Sequence, residues 1–321
     1  AAKKAEAQIT IVEIGGTIGD IEGLPYLEAI RQLRRKLGTE NTMFVMVTLL
    51  PFLEATKELK TKPTQAAVRE LREIGIQPDM IMARADLPIS KDLMKKIALF
   101  CDVEEEDVIP APTVKSIYEV PLNFQKKNVT EIIAKKLNLG KIKTDLKEWE
   151  TFVKKINSDA KELQIAIVGK YTGLEDAYLS VIESLKIACI HQGRKLKVNW
   201  IEAEDLESKD EETWKKLRES KGILVPGGFG SRGTEGKIMA AKYAREKKIP
   251  YLGLCLGMQL MTIEFARHML KNPQITSEEF DEEGKAGEEN YIIHFLPDQH
   301  KDREKGGTLR LGIHPCKLQK G

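Results

Sequence analysis

The chain is poor in several features that would have decided its class. It has four cysteines in 321 residues, Cys101, Cys189, Cys255 and Cys316, with no CxxC pair among them. That excludes a dense disulfide framework and points to a reducing cytoplasm as the expected compartment. Net charge is nearly absent: 51 lysines and arginines against 49 aspartates and glutamates leave +2. No global field then draws nucleic acid or an anionic membrane, so neither is an expected partner and any anion site has to be local. No apolar run nears the roughly 18 residues of a membrane span, and Ala1 to Glu6 is polar rather than signal-like. A G-x-x-x-x-G-K-[ST] loop is also missing, which removes a self-contained cradle for ATP.

What is present is alternation. Short apolar runs at Gln8 to Ile14, Thr42 to Leu50, Pro78 to Ala83 and Asp107 to Pro110 are separated by helix-period segments at Pro25 to Leu37, Pro63 to Ile74 and Lys91 to Phe100, the pattern of βαβ units around a parallel sheet. Pro25 and Pro63 mark first turns, while Gly38 and Gly75 mark ends. Residues 117 to 140 predict one further amphipathic helix. A second alternating series follows a charged stretch. Its strands are expected at Leu163 to Val168, Lys197 to Ala203, Gly222 to Val225 and Tyr251 to Leu254, and its helices at Ala177 to His191, Glu235 to Lys247 and Met258 to Leu270. The acidic stretch Glu278 to Glu289 is expected to be mobile, and Thr308 to Leu311 is strand-like. The expected fold is therefore α/β, two doubly wound and mostly parallel-sheet domains. They span 1–140 and 163–321, with 141–162 a linker holding one short helix that packs through Trp149 and Phe152.

Two glycine-rich strand ends carry the chemistry of the second domain. Leu252-Gly253-Leu254-Cys255-Leu256-Gly257 feeds a strand into a helix through G-x-C-x-G, the layout of a nucleophile elbow. A helix start lowers a thiol's pKa, although a cysteine taken by residue type alone is more often a buried core residue. Val225-Pro226-Gly227-Gly228-Phe229-Gly230 ends another strand with backbone that can approach a substrate as an oxyanion hole, or simply turn tightly. A base is harder to find. His191 and His268 sit near helix ends, His294 and His300 flank a charged loop, and His314 is followed by Pro315 and Cys316 instead of a carboxylate.

The first domain offers anion and cation sites. Glu13-Ile14-Gly15-Gly16-Thr17-Ile18-Gly19-Asp20-Ile21-Glu22 surrounds a glycine loop with carboxylates. Glu13 stands where a strand-end carboxylate would hold magnesium, and Asp20 and Glu22 suit ribose, a base or metal-bound water; a polar turn capped by Asp20 is the alternative. Lys60, Thr61, Lys62, Pro63, Thr64 and Gln65 put two cations at a helix start, which the macrodipole disfavours. An anion such as a triphosphate, joined by Lys96, would answer that, unless the face is merely solvated.

Taken in order, VEIGGTIGDIE at 12–22, LPYLEAIRQL at 24–33, KTKPTQ at 60–65, KIALFC at 96–101, SIYEVPL at 116–122, VGKY at 168–171, LVPGGFG at 224–230, GLCLGMQ at 253–259 and GGTLRLG at 306–312 resemble the motifs of the CTP synthase family over nearly the whole chain. The resemblance implies a partial, P-loop-like synthetase domain joined to a partial class I glutamine amidotransferase domain. It implies ATP-dependent amination of UTP to CTP, with glutamine as the ammonia source. By the same resemblance Cys255 forms the glutamyl thioester, Gly228 and Leu256 lend oxyanion amides, and Gly257, Met258, Gln259 and Glu279 contact glutamine. Glu13 binds Mg2+. Asp20, Ile21 and Glu22 line a site for product CTP that overlaps UTP, and residues 60–65 with Lys96 bind the triphosphate. GTP is the implied activator, CTP the inhibitor, and a homotetramer the implied assembly. The family's phosphate loop would precede Ala1 and its catalytic histidine and glutamate would follow Gly321. The chain by itself is thus expected to be inactive, the alternative being a truncated nucleotide-binding or assembly module.

Overall fold

The computed structural model describes residues 6–170, 175–281 and 283–295, with backbone alone at 175 and 176. The chain divides into two units, Ala1–Val153 and Lys154–Gly321.

The first unit is built on three parallel strands, β1 (Val45–Leu49), β4 (Met80–Ala85) and β5 (Val108–Pro112), in the order β1-β4-β5. Val45 pairs with Met80, and Ile81 with Val108. Two short strands, β2 (Phe52–Leu53) and β3 (Glu58–Leu59), form an antiparallel hairpin after β1. Helices α1 (Leu24–Leu37), α2 (Lys62–Glu73) and α3 (Lys91–Cys101) follow the expected spans to within one residue. α1 and α2 each carry proline in the first turn, and Ser90 caps α3 by accepting from the Leu93 amide. Leu27, Val68, Leu71, Ile97 and Ala98 from these helices meet Ile81 and Ala83 in one core. A polar hub ties α1 to the sheet: Arg34 donates two hydrogen bonds to Asp79 at 2.7 and 2.8 Å, and Asp79 also accepts from the Phe44 amide at 2.7 Å.

Two expectations fail here. Gln8 to Ile14 forms no strand, and Ile11 is 91% exposed. The sheet ends at β1 and β5, so this apolar run has no ladder partner, and a strand without a partner leaves its backbone groups to water. The single helix expected over 117–140 is broken instead into α4 (Val120–Gln125) and α5 (Val129–Lys136). Asn128 stands between them at φ 54°, a left-handed conformation that asparagine tolerates better than most residues. Helix α6 (Lys147–Ile156) falls inside the charged stretch, its Trp149 indole donating to the Tyr118 carbonyl at 2.7 Å while Phe152 meets the Tyr118 ring edge-on.

The second unit holds four parallel strands, β6 (Glu162–Gly169), β7 (Lys195–Glu202), β8 (Gly222–Val225) and β9 (Tyr251–Gly253), ordered β7-β6-β8-β9. The chain winds from β6 to β7 on one side, then returns to β8 and β9 on the other. That reversal is a topological switch point, where parallel sheets open a crevice at their carboxyl ends. The helices are α7 (Leu179–His191), α8 (Ala203–Glu207), α9 (Glu211–Glu219), α10 (Thr234–Lys247) and α11 (Leu256–Leu270); a short parallel pair, β10 (Thr276–Ser277) and β11 (Tyr291–Ile293), lies beyond. α10 presses on the β7–α8 corner so closely that a Cβ on Gly236 would stand 1.8 Å from the Ala203 carbonyl oxygen. α10 and α11 are joined by Arg245, which donates to the buried Glu264 carboxylate. The acidic stretch after 278, expected to be mobile, is held by Asp281: its carboxylate accepts from the Lys285 and Ala286 amides and from the Tyr291 hydroxyl, all within 2.8 Å. The strand-like segment 308–311, together with His300, His314 and Cys316, lies outside the described residues.

Candidate functional site

Three loops meet the carboxyl edge of the second sheet: Lys170 after β6, residues 226–230 after β8, and Cys255 after β9. The thiol position is the most constrained. Cys255 precedes the first residue of α11 with φ 51° and ψ −106°, a backbone state that side-chain-bearing residues adopt only when their surroundings impose it. The surroundings are the two flanking glycines. A Cβ on Gly253 would lie 2.4 Å from the Gly257 carbonyl carbon, and one on Gly257 would lie 2.1 Å from the Val225 carbonyl oxygen. Only glycine lets β8, β9 and the first turn of α11 approach that closely, and the approach turns the residue between them outward. Cys255 is accordingly exposed, whereas Cys101 and Cys189 are buried, burial pushing the Cys101 thiol up to about 11 and Cys189 above the ordinary value. Among the described cysteines only this exposed thiol can meet a substrate.

The loop after β8 passes beside this thiol. A Cβ on Gly227 would sit 3.4 Å from Cys255 Cβ and 3.9 Å from its Sγ; one on Gly228 would touch the Leu256 side chain at 3.5 Å. The first turn of α11 begins with Met258 and Gln259 donating to the Cys255 carbonyl, so the Cys255 and Leu256 amides stand ahead of the helical ladder, where orphan donors are available to a developing negative charge. Met258 is exposed, Gln259 half-buried, and Leu256 and Gly257 buried. Glu279 comes from the turn after β10 and accepts from the Gly230 amide at 2.9 Å. Thus Gly228, Cys255, Leu256 and Gly257 come together directly, and Glu279 joins them through the loop. Of the candidate bases, His294 stands 3.8 Å from Glu278, and His191 and His268 occupy the last turns of α7 and α11.

The first unit arranges its candidates differently. Asp20 accepts from the Thr17 amide at 2.7 Å and so closes the glycine loop as a local cap. Gly19, at φ 102°, is packed so tightly on α2 that a Cβ would meet Glu70 at 2.3 Å. The GGTIGD loop and the KTKPTQ helix are therefore neighbours, which separate motifs in sequence could not reveal. Thr61 and Thr64 are buried; Thr64 and Thr48 share a 2.8 Å hydroxyl contact, and Gln65 donates to Thr61 at 3.1 Å. The two cations at the start of α2 find internal partners, Lys60 in the Glu58 carboxylate and Lys62 over the Phe100 ring. Lys60, and more weakly Lys96, hold the Glu58 carboxyl below its ordinary range. Glu13, Ile21 and Glu22 are exposed. Among the described residues no group of three His, Cys, Asp or Glu could hold a metal ion, and the exposed Glu13 offers a single carboxylate. No described helix is long and apolar enough to cross a membrane.

Comparison with known proteins follows the same division. Residues 1–139 match the model "CTP synthase N-terminus" and residues 174–318 match "Glutamine amidotransferase class-I". All of the chain aligns at 51% identity with the CTP synthase of Dehalococcoides mccartyi, and at 50% with that of Caldanaerobacter subterraneus. The chain is similar to CTP synthases along its whole length. The archaeal relative from Methanocaldococcus jannaschii is 51% identical over 98% of the chain. In each case the chain spans 58% of the relative's length. The solved glutaminase domain of Trypanosoma brucei CTPS with bound acivicin, 37% identical, covers 43% of this chain and 52% of that one at a TM-score of 0.39. The motif resemblance and the two family matches fall on the same two halves of the chain. One residue at the site was not singled out from sequence: Lys170. Its signal was present, a lysine directly after the last glycine of a central strand, where parallel sheets collect ligands.

Proposed function

We propose that this chain supplies the glutamine-hydrolysing thiol and part of the nucleotide site of a CTP synthase, a ligase that aminates UTP to CTP at the expense of ATP in pyrimidine biosynthesis. The observation that carries the reading is the outward-turned Cys255, held at positive φ between Gly253 and Gly257 and beside Gly227.

The Cys255 thiolate attacks the side-chain carboxamide of glutamine. A C–S bond forms, and the carbonyl π pair moves to oxygen, where the Gly228 and Leu256 amides receive it. Collapse of that oxyanion expels ammonia, the nitrogen taking up a proton, and leaves a glutamyl thioester that water hydrolyses. Gly257, Met258, Gln259 and Glu279 line the glutamine side. In the first unit Lys60 to Gln65 and Lys96 hold the triphosphate of UTP or of inhibitory CTP, with Lys60 exchanging its Glu58 partner for phosphate; Asp20, Ile21 and Glu22 recognise the nucleoside. Glu13 would be one ligand to Mg2+, which would supply charge neutralisation at the phosphates. ATP is co-substrate, GTP the activator, the assembly a homotetramer, and the compartment the cytoplasm.

The test is a comparison of nitrogen sources in the enzyme that carries this chain. Cys255→Ala is expected to abolish glutamine-dependent CTP formation and to leave formation from ammonia within about twofold. Equal loss with both nitrogen sources would overturn the assignment.

A further inference from the structure

One peptide group at the site is gripped at both ends by opposite charges. The carbonyl of Phe229 accepts from Lys170 Nζ at 2.6 Å, and the amide of the same peptide, on Gly230, donates to Glu279 Oε1 at 2.9 Å. Lys170 Nζ also reaches the Gly230 carbonyl at 3.2 Å. Resting on the reading of Cys255 as a glutamine-attacking thiol, we propose that Lys170 is a positioning residue. Together with Glu279 it locks the 229–230 peptide plane and so fixes the direction in which the Gly228 amide faces the thiol.

Several features of the chain support this. A peptide plane in a glycine-rich loop turns easily, because its neighbours place little steric limit on φ and ψ; Gly227, Gly228 and Gly230 flank this one, and Gly230 sits at φ 76°. Reversing the 229–230 plane would aim a carbonyl at a carboxylate and an N–H at an ammonium, breaking two charge-assisted hydrogen bonds at once, the stronger kind. Both anchors are fixed. Lys170 directly follows Gly169, where β6 ends, and its amide lies 3.4 Å from the buried Tyr178 hydroxyl. Glu279 follows β10, its amide donating to Ser277 Oγ at 3.3 Å. The arrangement needs a cation at 170. A neutral residue would leave the Phe229 carbonyl unheld, and the Gly228 amide two peptides upstream would lose its fixed direction.

The test separates thiol reactivity from oxyanion stabilisation. The enzyme that carries this chain, unmodified and with Lys170→Met or Lys170→Arg, is treated with iodoacetamide, whose reaction needs no oxyanion hole, and with the chloromethyl ketone analogue of glutamine, whose addition develops negative charge on the carbonyl oxygen. Labelling of Cys255 is followed by peptide mass spectrometry. Lys170→Met should keep its iodoacetamide rate within about twofold but lose about 10- to 100-fold with the ketone, below or near the loss seen when an oxyanion donor is deleted outright. Lys170→Arg should recover most of it. Equal ketone rates in all three proteins would overturn the proposal, as would a loss in both reagents alike. A second measurement uses the unmodified enzyme alone: amide hydrogen exchange at Gly230 should be slowed well below that of an open loop, and free exchange there would overturn the lock. If the ketone fails to label even the unmodified enzyme, the reading of Cys255 falls, while exchange at Gly230 still decides whether the peptide is held.

Discussion

Lys237, in the first turn of α10, is 1% exposed. Desolvation is the main reason its amine is pulled down to about 8, with the neighbouring charge of Lys170 adding to the effect and Glu202 opposing it. A lysine that prefers to be neutral when folded destabilises the protein wherever it must be protonated. Below about pH 8 both folded and unfolded forms carry the proton and the full cost is present. Between about 8 and the ordinary lysine value of 10.5 the unfolded chain binds more protons, so stability rises with pH. Lys237→Met should therefore raise the free energy of unfolding of the second unit by on the order of 3 kcal/mol at pH 7. The advantage should vanish by about pH 11. Urea unfolding at the two pH values checks this; an equal effect at both would mean that packing, not charge, sets the difference.

Elements were legible from sequence where both their period and their ends were marked. α1 and α2 show this: Pro25 and Pro63 mark their first turns, Gly38 and Gly75 mark their ends, and the structure moves their limits by no more than a residue. Where a signal was tertiary, the sequence was silent. Ile9 and Ile11 look like strand residues, yet a strand exists only through its neighbour. The break at Asn128 carries no proline or glycine. Helices α8 and α9 were not anticipated because Ala203 to Glu219 is dominated by charge; their one local sign is Asp210, which caps α9 by accepting from the Thr213 amide at 2.7 Å. At the site the legible part was the spacing G-x-C-x-G, which is a contact between elements written in one dimension. Gly257→Ala tests it at this scale. A methyl group 2.1 Å from the Val225 carbonyl must push α11 away from β8, and a cost of about 2–4 kcal/mol is expected, with the labelling of Cys255 by the glutamine ketone lost as well. Thermal melting and the ketone rate measure the two effects.

Across the whole molecule, each unit leaves apolar surface open. On the edge strand β1, Val45, Val47 and Leu49 share one exposed sheet face, and on α11 Met258, Met261, Phe265 and Met269 form an exposed stripe. These faces lie in a chain that spans 58% of its relatives' length. Stability is thus held mainly in the cores beneath the two sheets, and it has to support one unfavourable conformation at the sheet edge. Cys255 at φ 51° shows how that support can be measured. Glycine would occupy the same backbone at little steric cost, alanine would not, and neither has a thiol. Cys255→Gly should melt above Cys255→Ala by the equivalent of about 1 kcal/mol, although both are chemically silent; equal melting temperatures would mean the turn is unstrained. Activity and stability are then coupled with opposite sign at a single residue, and selection for a more heat-resistant chain would tend to erode the nucleophile first.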